Sequence, residues 1–407
     1  VAEIELENNK IGVFQNEQQP TKGQFSAEAI ALKGFDFNVE NLELLKNEHL
    51  GFKLNKFQFK DKSGLELKQF SVQSQLDQNG IALDDIRLKV NNSSLLANLK
   101  LDYNNLQDFI DSPAKTDFDF TVNDIKADVA DAYLFSPELK QNPNFKKLTE
   151  NRFTGRLRLM GSLEKLQIPK FELNWGRNTS LNLDGKLSQV SDVDGLGVNL
   201  KNYAFTSSKV DIAEFIQGDS LGISIPKSLV LKGKLEKNTD TFSTKSKLQI
   251  PEGIIDVKGE FNKTNRLEYV LNFDVKLLQL GDILQNPEVG KLNMSVSSKG
   301  KGNSIYDLTA EFSSKIDSIR IADYTYSKME LNGKVKKGEG DLKFNYDDDN
   351  LKLNLVSKIN LDSLSSQIDT KVNLQGIKTQ KLGLTEKDLR AKIMANLQFK
   401  GNLDNFS

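Results

Sequence analysis

Apolar and polar residues alternate at a spacing of two through almost the whole chain, in runs of about five to nine residues. Leu95, Ala97, Leu99, Leu101 and Tyr103 form one such row, Tyr269, Leu271, Phe273 and Val275 another, and Leu351, Leu353 and Leu355 a third. Successive side chains of a strand point to opposite faces, so each row marks a strand with one greasy and one wet face. Asn, Asp, Gly, Lys and Ser separate the runs and supply turns; Asn79-Gly80 suits a two-residue hairpin turn with positive φ at its centre. The pattern predicts about twenty strands and an all-β chain. Helical signals are few. Asp124 to Gln141 is the strongest, split by Pro137, with smaller candidates at Val210 to Gln217 and Leu278 to Gln285. The triplet "QNP" follows the first and third, at Gln141 to Pro143 and Gln285 to Pro287, and marks them as related elements. None is long enough to cover twenty strands, so the apolar rows need some other cover.

Composition removes several functions. The chain has 407 residues with 55 basic and 56 acidic side chains, a formal charge of −1, so no surplus exists to draw in nucleic acid or an anionic membrane. No run reaches the length of a membrane-spanning helix. The chain opens at Val1 without methionine or a signal-like apolar segment, and is expected to be a piece of a longer precursor. Cysteine is absent, which excludes disulfides, thiolate metal sites and cysteine nucleophiles. The sole histidine, His49, sits in "LKNEHLGFKL" without an accompanying serine or metal-ligand motif, and reads as a surface turn residue. Asp347, Asp348 and Asp349 lack the further spaced ligands of a calcium loop and read as a hairpin turn. "SKGKGN" and "KKGEGD" do not continue as phosphate-binding loops. Catalysis, cofactor and metal are not expected. Trp175 shares its phase with Phe171 and Leu173 and is expected in the wall near a strand end.

Within the alternation lies a repeat of the form apolar-x-apolar-x-Gly-x-apolar. It occurs at Leu157/Leu159/Gly161/Leu163, Leu181/Leu183/Gly185/Leu187 and Leu229/Leu231/Gly233/Leu235, then at Ile255/Val257/Gly259/Phe261, Met329/Leu331/Gly333/Val335 and Leu397/Phe399/Gly401/Leu403. The glycines are separated by 24, 48, 26, 74 and 68 residues, mostly multiples of the length of a strand pair with its turns; the last gap does not fit. Glycine weakens a strand, so its recurrence in the apolar row requires a reason. Two sheets packed face to face would use it to admit bulky neighbours. An outer-membrane barrel would show aromatic girdles and longer strands, which one Trp and eight Tyr do not supply. A long sheet curled into an open trough would use glycine where strands bend, or to leave room for a ligand. Such a trough needs a greasy occupant: leaving ten methylenes in water costs roughly 8 kcal/mol, at ~0.8 kcal/mol each. Twenty strands about 4.8 Å apart would extend on the order of 100 Å.

The segments "FDFNVENLELLKNEHLGFKLNKFQFKDKSGLELKQFSVQSQL", "GRLRLMGSLEKLQIPKFEL" with its echo "ANLQFKGNLDNF", and "LLQLGDILQNPEVGKLNMSVSSKGKG" resemble the TamB and AsmA-like envelope proteins of diderm bacteria, most closely the TamB-type proteins of the Bacteroidota lineage. The resemblance implies an elongated, curled antiparallel sheet, a β-taco groove with a few short helices. It further implies a periplasmic protein, anchored in the inner membrane through an N-terminal segment and meeting an Omp85-family outer-membrane barrel through a C-terminal region. Neither anchor nor that C-terminal region is recognisable here. The implied function is to guide phospholipids between the two membranes, their acyl chains against the apolar rows, or to assist outer-membrane protein assembly. On this reading the organisation is a groove segment at 1–123, a helical insertion at 124–150, and a repeated strand-pair segment at 151–407. The apolar members of the six repeats line the groove and their glycines mark its bends, while Lys232 and Lys234 point outward.

Overall fold

The computed structural model describes residues 2–15, 18–45, 49–216, 222–263 and 265–401. The chain is all-β, with twenty-two strands and a few short helices among the described residues. It divides into two compact units, Val1–Phe215 and Ile216–Ser407. In the first, each strand pairs antiparallel with the next in sequence, from β1 (Ala2–Phe14), β2 (Ala29–Leu45) and β3 (His49–Asp61) onward. The series continues through β7 (Asp117–Ala127), β8 (Phe153–Gly161), β9 (Lys165–Trp175) and β10 (Thr179–Ser188) to β11 (Gly197–Ser208). The second unit repeats the scheme from β12 (Ser228–Lys237), β13 (Thr241–Ile250), β14 (Gly253–Lys263) and β15 (Leu267–Gln279). Then follow β16 (Val289–Lys301), β17 (Thr309–Ile321), β18 (Tyr324–Lys336), β19 (Glu339–Asp347), β20 (Leu351–Asn360), β21 (Ser366–Lys378) and β22 (Arg390–Gly401). Short turns between successive strands favour this meander, because an antiparallel hairpin needs only a few connecting residues.

The alternation read from the sequence becomes a difference between faces. In β12, Leu229, Leu231, Gly233 and Leu235 are half-buried, whereas Lys232, Lys234 and Glu236 are exposed. A covered apolar row would be almost wholly hidden, so no second layer packs on these leucines. The total surface carries the same message. The chain exposes 25353 Å². Two separate compact bodies, each of half its 45.7 kDa, would expose about 19,000 Å².

Several expectations are corrected. The helix expected over Asp124 to Gln141 is no single helix: its first residues finish β7, which is paired with β6 (Ser93–Asp102) and β8 to Ala127. Two 3-10 turns follow, Val129–Leu134 and Pro137–Gln141, broken where Pro137 lacks an amide proton, and then the helix Pro143–Leu148. The excursion lies between β7 and β8, which pair directly across it, and the division between the compact units falls later in the sequence, between Phe215 and Ile216. The two "QNP" triplets are not equivalent. Asn142 caps the start of Pro143–Leu148, its Oδ1 accepting from the Asn144 and Phe145 amides, whereas Gln285, at φ 53°, ends the helix Leu280–Leu284. Lys209–Ile212 is a single helical turn, and Gln217 lies outside the described residues. The hairpin before β5 (Gly80–Val90) turns at Gln78 and Asn79, with Asp77 opposite Gly80, and neither central residue has positive φ.

Candidate functional site

The apolar face of the second unit can be followed strand by strand through the register. Leu231 lies opposite Leu248, which faces Ile255, then Val275, Met294, Ile316 and Met329. A neighbouring lane runs Leu235, Thr244, Gly259, Leu271, Ser298, Phe312, Gly333 and Leu342. Between them lie Gly233, Ser246, Val257, Phe273, Val296, Ser314, Leu331 and Phe344. Phe261, Val335, Leu397, Phe399 and Gly401 fall on the same face. In the first unit Leu157 pairs with Phe171, Leu181 with Leu173, Leu183 with Phe171 and Leu187 with Leu166, which gathers them on one face with Leu159, Gly161 and Gly185. Leu163 is the exception: β8 ends at Gly161, and Leu163 sits exposed in the following turn. Leu403 lies outside the described residues.

The opposite face is built from charge. Lys232 and Lys234 lie on it, opposite Lys247 and Lys245. Asp256 is bridged at 3.5 Å by Lys247 and Lys276, and Glu311 by Lys299 at 3.3 Å and Lys334 at 2.6 Å. In the first unit Arg158 forks onto Asp119. These cross-strand pairs hold Asp119 and Glu311 below the usual carboxylate range through their hydrogen-bonded cations. They are exposed and add little stability singly, but they fix register, since a one-residue slip would carry charges onto the apolar face. A cleft of about 850 Å³ at the ends of β12 to β18 is lined by the apolar-face residues Phe242, Phe261, Tyr269, Ala310 and Val335 together with charged-face residues such as Glu260 and Lys299.

The six repeat glycines share the apolar face but not one task. Gly161, at φ +95°, opens the β8–β9 turn, and a Cβ there would strike the Lys165 carbonyl. Gly185 sits at register shifts against both β9 and β11, with the Asn199 carbonyl pressed against it, so here the strand does bend. Gly233, Gly259 and Gly333 lie in unbroken register between their flanking pairs. The Phe261 ring folds over Gly259, with 2.8 Å between Cε2 and the site of the missing Cβ, and Phe399 covers Gly401 likewise at 3.0 Å. Gly333 is covered from β17 by Phe312 and from β19 by Leu342. The space expected for a ligand is thus filled by the protein's own rings at Gly259, Gly333 and Gly401, in the manner of aromatic rescue of strand glycines.

Three ordered features brace the strand ends, and of these only Asp211 escaped sequence reading. Trp175 is buried at the end of β9, as its phase implied, but its Nε1 donates to the Leu148 carbonyl at 3.0 Å and its ring meets Phe153 and Phe215. Asp211, 4% exposed, accepts from the Arg177 and Asn178 amides and from Thr179 Oγ1, clasping the β9–β10 turn. Burial raises its pKa, yet these hydrogen bonds outweigh that and hold the carboxyl below its ordinary value. Asp348 accepts from the Tyr324 and Tyr346 hydroxyls and from the Asn350 and Leu351 amides, which makes the Asp347–Asp349 run a braced hairpin turn. Burial drives the Tyr346 hydroxyl upward, and Asp348 adds to it. His49 begins β3 opposite Leu45. Among the described residues no cluster of His, Asp or Glu is arranged to hold a metal, and no helix is long and apolar enough to cross a membrane. No family model, curated protein or solved structure matches the chain.

Proposed function

We propose that the chain is a groove segment of the TamB and AsmA-like type that guides phospholipids between the inner and outer membranes of a diderm bacterium, in the periplasm and without catalysis. One observation carries this reading: a lane such as Val257, Phe273, Val296, Ser314, Leu331, Phe344 crosses strand after strand on a face that is left half-exposed. A half-exposed apolar lane is costly in water unless something greasy lies along it, and an acyl chain matches it at ~0.8 kcal/mol per buried methylene. Inner-membrane attachment and an Omp85-family barrel as outer partner belong to the same proposal, through regions beyond the described residues. A photo-crosslinker at Leu231 is expected to capture phospholipid in cell envelopes, while one at Lys232, on the charged face, is not. Equal capture at the two positions would refute the assignment.

The second reading is a scaffold assisting outer-membrane protein assembly, in which a sheet edge would template an incoming strand. Mass spectrometry of the purified chain separates the two: co-purifying phospholipid favours the groove, bound polypeptide without lipid the scaffold.

A further inference from the structure

Across the ends of β15 to β18 the register sets four polar residues side by side. Glu268 lies opposite Lys301, Lys301 opposite Thr309, and Lys336 follows Val335, which faces Ala310. All four line the 850 Å³ cleft. Adjacent strands lie about 4.8 Å apart, so the row spans roughly 14 Å with Thr309 between the two lysines. Other charges of the cleft neutralise one another: Lys299 and Lys334 both reach Glu311, and Glu260 meets Lys258 at 3.1 Å. Glu268, Lys301 and Lys336 are exposed and make no ion pair among the described residues, although the first two face each other. Thr309 Oγ1 accepts from the Lys337 amide at 3.1 Å and keeps its proton to donate.

One residue inward, on the opposite face, the apolar row ends in Phe242, Phe261 and Tyr269. The first two rings are 5.9 Å apart, and Phe242 is 36% exposed. The two faces of a sheet meet at its strand ends, so here a single molecule can touch both. Two unpaired cations flanking a hydroxyl suit a phosphate. An ammonium carried two carbons from that phosphate falls toward Glu268, the one unpaired carboxylate of the row. We propose that the cleft seats the head of an amine-bearing, zwitterionic phospholipid, its phosphate held by Lys301, Thr309 and Lys336, its ammonium by Glu268, and its acyl chains turned over the strand ends onto Phe261 and Phe242. The proposal rests on the apolar face being a lipid path and adds a choice of head to it. A head without an amine leaves Glu268 unpaired beside the lipid's negative charge, and discrimination comes from that mismatch. The groups are exposed, so the preference is modest.

The test uses the whole chain with short-chain phosphatidylethanolamine or phosphatidylglycerol below their micelle concentrations. Calorimetric titration reads binding, and far-UV circular dichroism confirms that each variant is folded. The parent should favour phosphatidylethanolamine by roughly three- to tenfold. Lys301→Glu and Lys336→Glu should each weaken both lipids by roughly five- to tenfold, and Glu268→Lys should reverse the preference. Lys245→Glu, on the charged face outside the cleft, should change neither. Soluble glycerophosphoethanolamine should fail to displace the lipid at matched concentration, because it lacks the acyl chains. Equal affinity of the parent for the two heads, an unchanged preference in Glu268→Lys, or displacement by the soluble head overturns the proposal. Lipid capture at Leu231 decides the groove separately: capture without head preference leaves the groove and removes the cleft as its head site, whereas neither capture nor binding removes both.

Discussion

Replacing Gly333 by alanine tests whether the repeat glycines are seats for aromatic rings. The added Cβ would lie 2.7 Å from Leu342 Cδ2 and closer still to the Phe312 ring, which approach from opposite neighbouring strands. Carbon contacts become favourable only near ~3.5 Å, so the Leu342 methyl must retreat by roughly 0.8 Å and the ring by more. Both side chains are part of the apolar lane, and overpacking of this kind costs ~1–3 kcal/mol. Removing a glycine from a strand interior returns ~0.5–1 kcal/mol. The net expectation is a loss of about 1–2 kcal/mol. With a slope near ~2 kcal/mol/M, that lowers the urea midpoint by about 0.5–1 M at unchanged slope. Gly376 in β21 is the internal control, because nothing lies within 4 Å of its missing Cβ and its φ is not positive. Gly376→Ala should be neutral or stabilising by up to ~1 kcal/mol. Shortening the ring in Phe312→Leu should make the Gly333→Ala loss smaller than in the parent, a coupling that the double-mutant cycle reads directly. If Gly333→Ala unfolds at or above the parent's midpoint, or if Gly376→Ala is equally damaging, the glycines are not seats.

Two further predictions concern the ends of the face. Asp211→Asn should destabilise the chain by ~1.5–3 kcal/mol at neutral pH, since an amide nitrogen would confront the donors that a carboxylate oxygen now accepts. Asp211 has a folded pKa below its unfolded one, so its contribution is complete above the unfolded value near ~3.9 and disappears as pH falls through the depressed folded value. Urea titrations across that acid range should show a flatter pH dependence in the variant. Trp175 is the sole tryptophan and is buried, with Phe153 and Phe215 against its ring and the Leu148 carbonyl on its Nε1, so the emission reports this one site. Phe215→Ala, which removes a ring packed on Trp175, should red-shift the emission if this packing shields the indole; an unshifted spectrum would show that other contacts shield it.

The faces were legible in the sequence because a strand's period is two and each row is written in consecutive alternate letters. Leu231, Ile255 and Leu331 needed nothing beyond that. Bulges were not legible, since a single extra residue at Asn8 or between Asp184 and Gly185 has no composition of its own and is fixed only by its neighbour strand. The misread helix at Asp124 shows the opposite failure: Ile125 and Lys126 belong to β7 because they pair with Leu95 and Ser94, a tertiary demand that local periodicity does not carry. Asp211 was silent for the same reason, its donors standing more than thirty residues earlier in the chain.

The glycine seats alter what the proposed groove offers a lipid. A row of empty notches would trap acyl methylenes at fixed stations, and each step between stations would expose them to water at ~0.8 kcal/mol per methylene. The rings of Phe261, Phe312 and Phe399 instead fill the notches from within the protein. What remains is a surface of ring faces, methyl groups and small hydroxyl residues such as Ser298 and Thr244, levelled from strand to strand. Dispersion contacts on such a surface are many, individually weak and nearly equivalent along the lane, so a chain exchanges one set for the next without a deep minimum between. Binding and sliding are then compatible. On this account, emptying a seat by Phe312→Ala should slow lipid passage while strengthening retention at that point, whereas Leu231→Asp should lower both. If Phe312→Ala and Leu231→Asp changed retention in the same direction, the smooth-lane account would fail even though the face itself remained apolar.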